Sequence, residues 1–403
     1  MRKSLLVIGF IILCNAFGLA QNNTSGELKT GYIDIGKAKI YYEEKGEGVP
    51  LIMIHGGFIN RKMWDDQFDY FSKDYRVIRY DVRNHGLTTS DLDVYTNYDD
   101  LNNIMEKLKI DKAVIMGLSM GGMITIDFAI AHPEKVIAII PVSTGLSGFD
   151  KKDKDWQNFE KNVNRAFEKE DNELATEYML RSWTDGPKRT PEQMDKILRE
   201  KVKTMLLETF EKWDSRIRLQ KLSPPAVDRL SEIKVPVLTI YGDIDMQGII
   251  DIADKIEKEI PLSKKYIIKN AAHMVNMEFP DEFNEIVSKF LGNLKFDIST
   301  EQAEKMFGEN IGNPDFVILD VRTPEEYSAG HITNAVNLDF KSSDFSEKLD
   351  ELNKNKIYIV YCKGGGRSAK ALEIMQKKGF TNVYNVLGGI KKWKEENRKF
   401  EIK

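Results

Sequence analysis

Two stretches of this 403-residue chain hold side chains able to make and break covalent bonds. In Gly117-Leu118-Ser119-Met120-Gly121 a serine stands between a strand-like run, KAVIM, and a helix-like one, MITIDFAIAH. Small residues around such a serine permit a sharp strand-to-helix turn that lifts the hydroxyl over the sheet edge. A hydroxyl attacks a carbonyl only when a base takes its proton, and the base needs a carboxylate to fix its tautomer. Asp245 follows the run VPVLTIYG and His273 follows KKYIIKNAA, so both are expected to converge on Ser119 from adjacent loops. Asp243 is the rival acid, because GDID offers two carboxylates that would share a face in an extended segment; Asp245, further into the loop, is preferred. The remaining histidines are His55 and His85 in early loops, His132 beside Pro133, and His331 near the C-terminus. After the run PLIMI comes His55-Gly56-Gly57-Phe58, where backbone amides can meet a developing oxyanion; Phe58 and Met120 are the expected donors.

The second stretch is Cys362-Lys363-Gly364-Gly365-Gly366-Arg367-Ser368, which follows the run IYIVY and precedes a helix-like AKALEIMQKKG. Three glycines in succession let several N–H groups face one point, and a helix N-terminus adds positive potential. Such a nest lowers a thiol pKa and holds an anionic sulfur. Lys363 and Arg367 add charge suited to an anionic donor such as thiosulfate. Four residues separate Cys362 from Arg367, one fewer than in thiol phosphatases, and the tighter cradle favours sulfur over a tetrahedral phosphate.

The elements that position these residues are legible as alternating patterns. Short β-branched runs (PLIMI, YRVIRY, KAVIM, VIAIIPV, VPVLTIYG, KKYII) alternate with helical stretches, the pattern of a mostly parallel sheet. From about 147 to 231 the sequence turns charged and helix-periodic with no strand-like run, and reads as a helical insertion capping the sheet. Trp156, Trp183 and Trp213 lie in it, either lining a pocket or packing a core. A second, smaller α/β unit is expected over 297–403, after a first over 27–294.

The first twenty residues have a basic start, an apolar stretch from Leu5 to Leu13, and Gly18 and Ala20 before a polar segment, as in a cleaved secretory signal. Removal after Ala20 discards Cys14, one of two cysteines, and leaves Cys362 unpaired in a periplasmic or secreted protein. A net charge of −4 with both signs interspersed provides no broad cationic face for nucleic acid or anionic lipid. No metal cluster or dinucleotide loop is visible, and no cofactor is expected.

Taken together, HGG, DVRNHG, GLSMGG, GDID and AAHMVNMEFP, in this order, resemble the α/β-hydrolase fold superfamily over about 31–294. The resemblance implies a nucleophile, acid and base at Ser119, Asp245 and His273, an esterase-like reaction on a small-molecule acyl substrate, and kinship with enol-lactone hydrolases. Thioester or C–C bond cleavage remains open on the same triad. From about 297 to 401, LDVRTPEEYSAGHI, YCKGGGRS and NVLGGIKKW resemble the rhodanese-like domain family. That implies a persulfide on Cys362, cradled by the amides of Lys363 to Ser368, with Asp320 and Arg322 supporting the loop. The domain would act either as a sulfurtransferase or as a sulfur-carrying module that does not turn over.

Overall fold

Continuous apolar runs become strands covered on both faces. The computed structural model describes residues 27–402 except 151–152, 293, 295–296, 355, 379 and 381. Eight strands form the first sheet: β1 (Lys29–Ile35), β2 (Ala38–Lys45), β3 (Pro50–Ile54), β4 (Arg76–Tyr80), β5 (Ala113–Leu118), β6 (Val136–Val142), β7 (Val237–Gly242) and β8 (Ser263–Ile268). Their order is β1-β2-β4-β3-β5-β6-β7-β8, with β1 and β2 antiparallel at one edge and β4 through β8 parallel. Side chains alternate across the pleat: Met53, Val114, Met116 and Ile140 enter the core on one face, and Ile52, Ile54, Ile115 and Ile139 the core on the other. Every residue of β5 and β7 is buried, so the strands that deliver Ser119 and Asp245 lie in the middle of the layer.

Between β6 and β7 the chain builds the helical cap, with helices Lys154–Phe167, Asn172–Met179 and Lys196–Phe210. Each begins on an aspartate whose carboxylate accepts a backbone N–H: Asp153 from Trp156, Asp171 from Leu174 and Asp195 from Leu198. The first helix buries Phe159, Val163 and Ala166, a spacing of four and three that makes one apolar stripe. Trp183 lies in a π-helical turn, Leu180–Thr184, just after the second helix.

The C-terminal part forms its own parallel sheet from β9 (Asp297–Ile298), β10 (Phe316–Asp320), β12 (Val336–Asn337), β13 (Ile357–Tyr361) and β14 (Asn382–Val386), in the order β12-β10-β13-β14-β9. A separate antiparallel pair joins β11 (His331–Ile332) to β15 (Phe400–Glu401). The central strand β13 ends directly at Cys362, and the helix Gly366–Lys377 follows. Among the described residues no helix is long and apolar enough to cross a membrane.

Candidate active site

Ser119 occupies the turn between β5 and the helix Met120–Ala131, with φ 53° and ψ −106°. A non-glycine residue in that region carries backbone strain of about 1–3 kcal/mol, held by the surroundings. Here the Ser119 N–H donates to Val142 O at 2.8 Å, and Ser119 O accepts from Met123 and Gly145, each at 3.0 Å. The glycines are required by contact: a Cβ on Gly117 would lie 2.2 Å from Gly121 O, and one on Gly121 would lie 2.2 Å from Ile54 O. The serine itself stays partly exposed, at the carboxyl end of a central strand.

Asp245 and His273 come together as the sequence leads one to expect. His273 Nδ1 lies 2.9 Å and 3.1 Å from the two carboxylate oxygens of Asp245, and both residues are buried. Asp245 also accepts the Met246 N–H at 2.7 Å. Asp243 points elsewhere, accepting the Asn270 N–H at 2.7 Å and lying 3.5 Å from Lys269 Nζ. Among the described residues Ser119 Oγ and His273 Nε2 make no hydrogen bond, so the second ring nitrogen is unspent.

One expected oxyanion donor needs correction. The Phe58 N–H already donates to His85 Nε2 at 3.0 Å, with Phe58 at φ 59°. Among the described residues the amides of Gly57 and Met120 have no partner, and a Cβ on Gly57 would sit 3.8 Å from Met120 Cβ. The two free N–H groups therefore stand on neighbouring segments, one in the loop after β3 and one at the first residue of the helix Met120–Ala131. What the sequence does not disclose is that His85, 27 residues away, uses the Phe58 amide.

The loop is braced from beneath. Asp81, fully buried, accepts the Arg61 N–H at 2.9 Å and the Leu87 N–H at 2.8 Å and pairs with Arg61 Nη1 at 2.7 Å. Arg61 and Arg79 both also bind Glu43, whose carboxyl is resisted by burial but held below its ordinary pKa by the two guanidinium groups. His55 and His85 are braces too. Each ring accepts a backbone N–H at Nε2 (Val82 to His55 at 2.9 Å, Phe58 to His85) and places Nδ1 against a carbonyl (Gly56 O at 2.7 Å, Arg83 O at 2.9 Å). A second ring proton would face an N–H donor. Burial first, with charge repulsion added, pushes His55 down to about 4 and His85 to about 3.

A pH prediction follows from those directions. Both folded pKa values lie below the unfolded value of 6.5, so the stability held by the neutral rings is full above pH 6.5 and is lost as pH falls toward 4 and 3. Thermal midpoints measured at steps from pH 7 to 4 are expected to fall. His85→Gln, which keeps an acceptor for Phe58 but does not titrate, is expected to fall less steeply.

Above the serine, aromatic rings from the cap converge on Phe58. Its ring centroid lies 4.7 Å from Trp213, 5.7 Å from Phe210, 6.3 Å from Phe167 and 6.4 Å from Trp183. Trp183 in turn lies 6.1 Å from the His273 ring. Trp156 packs on Phe159, which in turn packs on Trp183. So Trp183 and Trp213 wall the site, while Trp156 packs the cap.

At the other site, Cys362 is only 2% exposed, and its Sγ accepts the Gly365 N–H at 3.2 Å. Ser368 Oγ lies 3.4 Å from Sγ and 3.1 Å from Gly365 O. Burial pushes the thiol up, but hydrogen bonds from the Ser368 hydroxyl and the amides of Ser368, Gly364 and Gly365 outweigh it and hold the thiol below its ordinary value. Lys363 is exposed at the loop's edge, and Gly366 starts the helix. Arg367 lies within electrostatic reach of Cys362 and is also ion-paired. Its guanidinium grips Glu326 through two bonds of 2.6 and 2.8 Å, which draw that carboxyl down to about 2. Asp320 and Arg322 pair with each other beneath the loop, and Arg322 also donates to Gly330 O at 2.8 Å. Among the described residues no group of three or more His, Cys, Asp or Glu is placed to hold a metal ion.

A mixed sheet with a serine elbow, an acid after β7 and a histidine after β8 defines a hydrolase architecture. A family model described as the alpha/beta hydrolase fold matches residues 49–280, more than half of the chain, and one described as a rhodanese-like domain matches 299–396. The chain belongs to the alpha/beta hydrolase fold family and carries a C-terminal rhodanese-like domain.

Among its relatives is the (E)-2-((N-methylformamido)methylene)succinate hydrolase of Acinetobacter baylyi, 26% identical over 257 residues, or 62% of this chain and 93% of that one. The pimeloyl-[acyl-carrier protein] methyl ester esterase of Vibrio atlanticus is 26% identical over 259 residues, 62% of this chain and 97% of that one. Among solved structures, the enol-lactonase of Burkholderia xenovorans superposes with a TM-score of 0.52 at 22% identity, covering 65% of this chain and 99% of that one. That last likeness speaks to the fold.

Proposed function

We propose that this protein is an exported serine hydrolase of carboxylic esters whose C-terminal domain carries sulfane sulfur on Cys362. The observation that carries the first part is the buried Asp245–His273 pair, 2.9 Å apart, on loops beside a serine held at φ 53° at the head of a helix. His273 takes the Ser119 proton as Oγ attacks the ester carbonyl, and Asp245 stabilises the imidazolium that forms. The oxyanion is received by the Gly57 and Met120 amides. His273 then returns the proton to the departing alcohol, and water, activated by the same base, releases the acid. The rings of Phe58, Trp183, Phe210 and Trp213 favour an apolar acyl group. Names of relatives, among them a methyl ester esterase, agree with ester chemistry.

In the second part, the Cys362 thiolate attacks the outer sulfur of thiosulfate, forming the enzyme persulfide and releasing sulfite. A thiophilic acceptor such as cyanide then removes the sulfur and restores the thiolate. The lowered thiol pKa and the Gly365 and Ser368 donors around Sγ support this reading. Export is supported by the signal-like first twenty residues, which lie outside the described ones. N-terminal sequencing of the exported protein should begin at Gln21.

A fluorophosphonate probe tests the hydrolase directly. The wild type is expected to gain one adduct on Ser119 and Ser119→Ala none. Equal labelling of both would end the proposal.

A further inference from the structure

The histidine loop is gripped by the cap. The His273 N–H donates to Trp183 O at 3.2 Å, and a Cβ on Gly186 would lie 2.9 Å from Ala272 Cβ. Between these contacts sits Arg189, whose guanidinium is bonded on every nitrogen. Nε donates to Asp185 O at 2.6 Å and Nη2 to Thr184 O at 3.1 Å, both in the cap. Nη1 donates to Asn270 O at 3.1 Å, three residues before His273. Both Nη atoms also pair with the Glu278 carboxylate, and Glu278 Oε2 accepts the Ala272 N–H at 3.1 Å. Asp185, fully buried, is held in turn by Arg181 of the π-helical turn at 2.8 Å and by Arg199 of the helix Lys196–Phe210 at 3.0 Å, so the cap turn is itself tied into the cap.

We infer that Arg189 is a positioning residue: it latches the cap turn 183–189 to the loop Asn270–His273 and thereby fixes the base relative to Ser119 and Asp245. The physical reason lies in the guanidinium fork. Its five donors have a fixed planar geometry, so cap carbonyls, loop carbonyl and carboxylate must keep one mutual arrangement to be satisfied together. With Ala272, His273 and Asn270 all held at their backbone polar groups, the imidazole has one approach to the acid. Lysine can keep the charge on Glu278 but cannot span the three carbonyls. An error of about 1 Å in a catalytic group can cost about 100-fold in rate.

The inference rests on the serine-hydrolase reading, and the test separates the two. Wild type, Arg189→Lys and Glu278→Gln are titrated with a fluorophosphonate, and ester turnover is expressed per labelled serine, with thermal midpoints measured in parallel. Expected for Arg189→Lys is a 10- to 100-fold lower kcat per labelled site with KM changed by less than about threefold, and a shifted acid limb in the pH profile of kcat/KM. Glu278→Gln keeps one oxygen for the Ala272 N–H and Arg189 Nη2 and gives up only the acceptor of Nη1, while the three carbonyl contacts of Arg189 stay, and it is expected to lose less. If the wild type does not label, the hydrolase reading fails. If it labels and Arg189→Lys turns over at the wild-type rate and pH profile per site, with only a lower thermal midpoint, Arg189 is structural and the inference is overturned.

Discussion

Replacing His273 by glutamine is expected to lower kcat for an aryl ester by about 10⁶-fold, and Asp245→Asn by about 10⁴-fold, with thermal midpoints near that of the wild type. The difference between the two comes from their roles. Without the imidazole the serine proton has nowhere to go. Without the Asp245 carboxylate the imidazole remains, but an asparagine amide facing Nδ1 favours the wrong tautomer and leaves the imidazolium without a counter-charge 2.9 Å away. Asp243→Asn is the control, since that carboxylate meets the Asn270 N–H and the exposed side of Lys269 rather than the imidazole. Its activity is expected within about tenfold of the wild type. Steady-state rates on a p-nitrophenyl ester decide the matter, and a larger loss in Asp243→Asn than in Asp245→Asn would exchange the two assignments.

That contrast also marks how far the sequence could be read. GDID placed two carboxylates two residues apart, which in an extended chain share a face. The chain there turns instead: Ile244 N–H donates to Ala271 O and Asp245 N–H to Gly242 O, so one carboxylate is carried inward and the other toward Asn270. The serine elbow was legible because its sharp turn demands small residues next to the serine itself: a Cβ on Gly117 would strike the backbone of Gly121, four residues on. Buried parallel strands were legible because both faces need apolar side chains. The oxyanion donor was not, because which amide is free depends on a hydrogen bond between Phe58 and His85. Likewise the pairing of Arg367 with Glu326, 41 residues earlier, and the meeting of Arg189 and Glu278 across 89 residues leave no local mark in the sequence. Local geometry writes itself into neighbouring residue types, whereas long-range pairing leaves only a charged residue with several conceivable partners.

At the second site, Cys362→Ser is expected to abolish both the persulfide and any thiosulfate:cyanide sulfur transfer, while leaving Ser119 labelling intact. Ser368→Ala gives the more discriminating result. The Ser368 hydroxyl has one proton and two acceptors in reach, Gly365 O at 3.1 Å and Cys362 Sγ at 3.4 Å. A neutral thiol competes poorly for that proton, whereas a thiolate draws it, so the hydroxyl stabilises the charged form more than the neutral one. Removing it leaves burial, which raises the thiol pKa, opposed by the backbone amides alone. The folded thiol is below its ordinary value in the wild type, so its thiolate is present at lower pH than that of a free thiol, and loss of the hydroxyl moves that onset upward. Iodoacetamide alkylation rates followed from pH 5 to 10 by intact mass are expected to show a midpoint at higher pH in Ser368→Ala, with a lower yield of persulfide from thiosulfate near neutrality. An unchanged midpoint would assign the control of the thiol to the amides of the glycine loop, and the serine would then serve only to close the first turn of the helix.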